Sequence, residues 1–140
     1  MQPKLTPFYL IAASLVGIGV TAFLSYFAFN NTVPGCAIGG CEVVLISEYS
    51  KFFGVPLAYL GLVYYVYMLA LAVLLAVEPH SWALKWATLL YAGVGLLLSI
   101  IFEFYIQAVL IGAMCVYCAL SALTTLALFG VALWHMRTTP

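Results

Sequence analysis

Polar positions are so sparse along this chain that the gaps between them organise it. Four apolar runs, about Phe8 to Phe29, Leu57 to Val77, Trp86 to Ile111 and Cys115 to Trp134, reach the length that matters. Crossing a hydrocarbon core about 30 Å thick takes roughly 20 apolar residues of helix. The pattern predicts an all-α fold, an integral membrane four-helix bundle in a single domain over residues 1–140. The first run exceeds the apolar core of a signal peptide, and Asn30-Asn31-Thr32-Val33-Pro34 after it lacks a small-x-small cleavage pattern, so a retained span is expected.

Of the connections, the second, about Glu78 to Lys85, is short and carries Pro79, which predicts a tight turn. The first, residues 30–56, is far longer than two antiparallel helices require, and long ordered loops in compact domains are usually functional. Within it, Glu42 to Ser50 runs without a breaker and predicts a short surface helix, with Val43, Val44, Ile46 and Phe53 toward the membrane and Glu42, Glu48 and Lys51 toward water. Gly54-Val55-Pro56 then leads into the second span, since proline suits a helix's first turn.

Composition agrees with the pattern. Hydrophobic residues make up 67% and charged residues 6% of the 140, with a mean hydropathy of +1.21, so no solvated polar surface can cover the chain. A formal net charge of +0 and a pI of about 6.7 leave no basic stripe for a phosphate backbone, which excludes nucleic acid as a partner. Four spans put both termini and the second connection on one side, the first and third connections on the other. Lys4, Lys85 and Arg137 fall on the terminal side against Lys51 in the first connection, which predicts a multi-pass cell-membrane protein with both termini cytoplasmic. Trp82, Trp86 and Trp134 lie near the same predicted interface.

The chemistry-bearing residues are four cysteines in two pairs, Cys36 with Cys41 in the long loop and Cys115 with Cys118 entering the fourth span. Parity places both pairs on the extracytoplasmic side, where disulfides form and persist, so they can act as a thiol–disulfide relay. Cys115 sits where the fourth helix begins, and the positive end of a helix dipole favours a thiolate. Cys118, nearly a turn further in, would look into the top of the bundle among Phe104, Tyr105 and Tyr117, where a quinone ring can stack. Gly35, Gly39 and Gly40 give the loop pair the backbone freedom a moving disulfide carrier needs. The alternatives are a non-enzymatic membrane scaffold with structural disulfides, or a metal-binding subunit with four cysteine ligands. A CxxC loop is too tight to add much chain-entropy stabilisation, and a zinc ligand inside a spanning helix is uncommon, so no metal is expected.

At these residues the chain resembles the vitamin K epoxide reductase family, in particular prokaryotic members without a fused thioredoxin domain. The resemblance covers nearly the whole chain. It rests on the order of a first span, the loop cysteine pair, Ser47 six residues after Cys41, Phe53-Gly54-Val55-Pro56 entering the second span, and Ile111-Gly112-Ala113-Met114-Cys115-Val116-Tyr117-Cys118 entering the last. The DsbB disulfide generators carry their CxxC in the first loop instead. The resemblance implies a thiol–disulfide oxidoreductase supporting disulfide formation in extracytoplasmic proteins. A thioredoxin-fold, DsbA-like partner would reduce the loop pair through Cys36, Cys41 would exchange with Cys115, and Cys118 would face a quinone of the ubiquinone or menaquinone type. It also implies that Ser47 and Gln107 border the quinone, which would lie beside the Phe104 and Tyr117 already placed near Cys118; the alternative for Ser47 is a hydroxyl bonded to its own helix backbone. Animal members place an Asn and a Tyr where this chain has Leu57 and Ala122, so little or no epoxide reduction is expected.

Two further readings concern ionisable groups. Glu103, one turn from Gln107, is a candidate proton relay for quinone reduction, because a carboxyl in a spanning segment is costly to keep. The competing expectation is a carboxyl near the outer interface or bonded to a neighbouring helix. His80 and His135 fall on the opposite side from the cysteines, and no catalytic role is expected of them.

Overall fold

A computed structural model of the chain describes residues 5–30, 51–52, 55–112 and 116–138. Cys36, Cys41, Ser47 and Cys115, together with the expected surface helix at 42–50, lie outside the described residues. Four helices are long and apolar enough to cross a membrane: α1 (Thr6–Phe29), α2 (Leu57–Val77), α3 (Trp82–Ile100) with its continuation, and α4 (Val116–Thr138). The protein is thus an all-α, multi-pass membrane bundle. Its described extended backbone is one antiparallel ladder at the foot of α2, β1 (Lys51–Phe52) with β2 (Val55–Pro56), pairing Lys51 with Pro56 and Phe52 with Val55.

Helix α3 starts at Trp82, four residues before the long apolar run, because Ser81 caps it: the Leu84 N–H donates to Ser81 Oγ at 3.4 Å. From Ile101 to Ile111 the winding widens to a π-helix, a difference from the uniform span expected over 86–111. Such segments are rare and recur at functional sites. Gly112, at φ +77°, ends it in a left-handed conformation that a residue with a Cβ rarely adopts.

The first helix turns mostly small side chains inward, against large ones such as Tyr65, Met68, Leu75 and Leu128 from its neighbours. On α1 the buried positions are Thr6, Pro7, Leu10, Ser14, Gly17, Thr21, Leu24 and Ser25, spaced as one helical face, while Phe8, Leu15, Val16, Phe23 and Tyr26 point outward. Lipid tails are as apolar as any core, so nothing drives large side chains inward, and small residues allow close helix approach. The inward hydroxyls satisfy themselves: Ser14 donates to Leu10 O at 2.8 Å, Thr21 to Gly17 O at 2.7 Å and Ser25 to Thr21 O at 2.7 Å.

Neighbours around the bundle run α1–α2–α3–α4 and back to α1. Tyr65 on α2 crosses the diagonal. Its ring, 1% exposed, lies over Gly17 of α1, where any Cβ would collide with it. Its hydroxyl donates to Ser121 O on α4 at 2.9 Å, and Ser121 Oγ lies 2.8 Å from the phenolic oxygen. Between α2 and α3, Tyr64 and Tyr91 stack at 4.7 Å and donate to each other's main-chain carbonyls, at 3.3 Å and 3.0 Å. A Cβ at Gly95 would strike Tyr64 in turn. At the terminal end, His135 is buried with Nε2 3.0 Å from Pro79 O, which fastens the second connection to α4. Trp82 and Trp86 meet edge-on at 6.2 Å at that end, both exposed.

Candidate functional site

The opposite end of the bundle gathers the exits of the chemistry-bearing connections. There α1 ends at Phe29, α2 begins at Leu57, the π-helix ends at Ile111 and α4 begins at Val116. The antiparallel order is fixed by side chains. On α3 and α4, Gly93 faces Phe129 and Ser99 faces Thr125; on α1 and α2, Gly17 faces Tyr65 and Thr21 faces Gly61.

Cys118 is the third residue of α4 and is half-buried. Residues 118, 121, 125, 128, 132 and 135 repeat at three and four, and Thr125, Leu128, Ala132 and His135 of this series are buried, so Cys118 and Ser121 lie on the inward stripe of α4. The sulfur is therefore directed by the same periodicity that packs the helix. Tyr117, its neighbour, turns toward α1, with its ring 5.3 Å from that of Phe23. Phe23 also meets Phe27 edge-on at 4.9 Å, and Phe27 meets Tyr26 at 5.6 Å. These rings flank the Cys118 end of the α1–α4 seam. Tyr117 was expected to border the site from its position alone; Phe23 and Phe27 were not, because nothing in an unbroken apolar run marks which of its aromatics meet another helix.

The remaining expected residues are placed as follows. Phe104 is 64% exposed and points away from the bundle, as does Tyr105. Neither therefore lines the interior beside Cys118. Gln107 lies in the π-helical segment. Leu57 and Ala122, the positions that differ from animal members, are both half-buried.

Glu103 is the acid that the fold turns inward. Lys85, Thr88, Ala92 and Gly95 form the buried face of α3, the stripe continues through half-buried Ser99, and Glu103 follows four residues later, 5% exposed. Its Oε1 has no hydrogen-bond partner among the described residues. The hydroxyl of Thr125 donates to Ala122 O at 2.7 Å and lies 3.1 Å from Ser99 Oγ, which pins the register of α3 against α4.

The family model for the vitamin K epoxide reductase family matches residues 8–133, nearly the whole chain. The chain belongs to the vitamin K epoxide reductase family. A curated relative, the thiol-disulfide oxidoreductase LTO1 of Arabidopsis thaliana, is 33% identical over 124 residues, covering 84% of this chain and 33% of the relative. The chain thus spans about a third of the length of this relative. The matched region contains all four spans up to Leu133 and both cysteine pairs.

Proposed function

We propose that the protein is a membrane thiol–disulfide oxidoreductase that oxidises a thioredoxin-fold partner and passes its electrons to a quinone. Electrons enter at Cys36, reach Cys41, move by thiol–disulfide exchange to Cys115 and leave through Cys118. Each exchange conserves one disulfide and two thiols until the last, in which the Cys115–Cys118 dithiol closes to a disulfide and the quinone takes up two electrons and two protons. The extracytoplasmic side is the setting, because new disulfides persist there. The observation that carries the reading is the position of Cys118. It stands on the inward stripe of α4, in the first turn of a spanning helix, at the end where both cysteine-bearing connections leave the bundle.

Family membership supports a thiol-based redox reaction, and the LTO1 relative, a thiol-disulfide oxidoreductase, points the same way. The Phe23–Tyr117 pair supports a planar acceptor, since aromatic rings beside a half-buried sulfur offer faces on which a quinone stacks. The protein's own contribution is to hold that ring against Cys118 and keep water from it.

The test combines purified protein, a reduced thioredoxin-fold partner and a soluble quinone, followed by quinone absorbance for the native chain and each Cys→Ala variant. Loss of turnover in all four variants is expected. Turnover that survives Cys118→Ala would sink the reading. Loss confined to the Cys115 and Cys118 variants would remove the loop pair from the relay.

A further inference from the structure

Quinone reduction needs protons delivered within the membrane, and the bundle interior holds one carboxyl placed for it among the described residues. Starting from the Ser99–Thr125 contact, Glu103 lies four residues toward the Cys118 end on one helix and Ser121 four residues toward it on the other. At about 1.5 Å of rise per residue in an α-helix, Ser121 stands roughly 6 Å and Cys118 about 10 Å above that contact, and Glu103, reached partly through the shorter rise of the π-helix, stands at or a little below the level of Ser121. Glu103 therefore sits about one helical turn beneath Cys118, on the inward stripe of its own helix.

Three properties set it apart. It is 5% exposed, its Oε1 has no hydrogen-bond partner among the described residues, and it belongs to a π-helical segment. A carboxyl at this depth is costly and marks a functional position by default. A purely structural one would be bonded, as the hydroxyls around it are: Ser121 to Tyr65, Thr125 to Ala122 O, Thr124 to Leu120 O at 2.8 Å. Among the described residues the other buried side-chain oxygen without a partner, Thr88 Oγ1, belongs to a hydroxyl far from Cys118 and has no acidic proton to give. Glu103 continues the three-and-four spacing of the buried face of α3 into the π-helical segment, while Phe104 and Tyr105 beside it point outward.

We propose that Glu103 carries a proton to the quinone as the Cys115–Cys118 dithiol reduces it; the proposal rests on the quinone reading above. In this step an S–S bond forms, both sulfurs give up their protons, and two electrons pass to the quinone. The O–H bond of Glu103 breaks as an O–H bond forms on the quinone, and one of the protons leaving the dithiol restores the acid. The second dithiol proton completes the hydroquinone. No outside proton or reductant is required.

The experiment compares wild type, Glu103→Gln and Glu103→Asp in lipid nanodiscs with a reduced thioredoxin-fold partner and a soluble quinone. Quinone loss, its solvent deuterium effect, and thiol exchange with the partner by alkylation are each measured. Glu103→Gln keeps the size and polarity but cannot give up a proton, so quinone reduction should slow by about a hundredfold. Thiol exchange should stay at the wild-type rate, and Glu103→Asp should recover most of the loss. Infrared difference spectra of the wild type on quinone reduction should show a carboxyl band that Glu103→Gln lacks. Wild-type quinone kinetics in Glu103→Gln would overturn the proposal, as would equal loss in Gln and Asp variants or the absence of the infrared band. A wild-type protein that oxidises its partner without consuming quinone would overturn the functional reading and this one with it.

Discussion

Gly17→Ala adds a single methyl group where the structure leaves no room. The Cβ would fall within the Tyr65 ring, against Cγ, Cδ1 and Cε1, which are the body of the ring and not its movable tip. Tyr65 is 1% exposed and tied to Ser121 by contacts of 2.9 Å and 2.8 Å, so it cannot swing aside without breaking them. Overpacking of this kind costs about 1–3 kcal/mol. Interhelical hydrogen bonds in a bilayer contribute about 0.6 kcal/mol each, adding about 1 kcal/mol if both are lost. Alanine in place of glycine in a helix interior offsets up to about 1 kcal/mol. The net expectation is a loss of about 1–3 kcal/mol, a 5- to 150-fold shift in the unfolding equilibrium.

Gly19→Ala is the internal control, because nothing lies within 4 Å of the Cβ it would add. It carries the same propensity gain without the clash and should be neutral or mildly stabilising. The assay is unfolding of detergent-solubilised protein by titration with sodium dodecyl sulfate, followed by circular dichroism. In a Tyr65→Ala background the sign should reverse, and Gly17→Ala should become neutral or stabilising by up to about 1 kcal/mol. The reasoning fails if Gly17→Ala is as benign as Gly19→Ala, or if its cost is unchanged once the tyrosine is gone.

Two predictions test the proposed quinone reading. Phe23→Ala removes the ring that faces Tyr117 at 5.3 Å, and an aromatic pair is worth about 0.5–1.5 kcal/mol, so the KM for quinone should rise about 2- to 10-fold with little change in exchange between the cysteines; an unaltered KM would place the quinone elsewhere. Because Leu57 and Ala122 bring no polar group where animal members of the family have an Asn and a Tyr, purified protein should reduce a quinone but show little turnover of vitamin K epoxide, and comparable rates on the two would contradict this.

The sequence determined the number of spans and the parity of the connections, because a hydrocarbon core fixes how long an apolar helix must be and each crossing reverses the chain. It also carried the order and spacing of the cysteine pairs, which are local properties of the chain and suffice for the family resemblance. What it did not carry was which face of each helix turns inward. Soluble helices announce this by an apolar inner face, but on α1 and α3 the large apolar side chains point outward and small or polar ones inward, so that rule gives no direction until the helices are packed. The diagonal course of Tyr65 over Gly17, the meeting of Phe23 with Tyr117 and the inward turn of Glu103 depend on contacts between residues far apart in the chain. Two of the four helices must already be in place for either of the first two contacts to exist. Small residues and hydroxyls mark the packed faces in hindsight, since close approach selects them. The sequence thus determined the order of the cysteine pairs and the parity of their connections, and the tertiary structure alone decided which aromatic rings flank the Cys118 end of the α1–α4 seam and which acid turns inward.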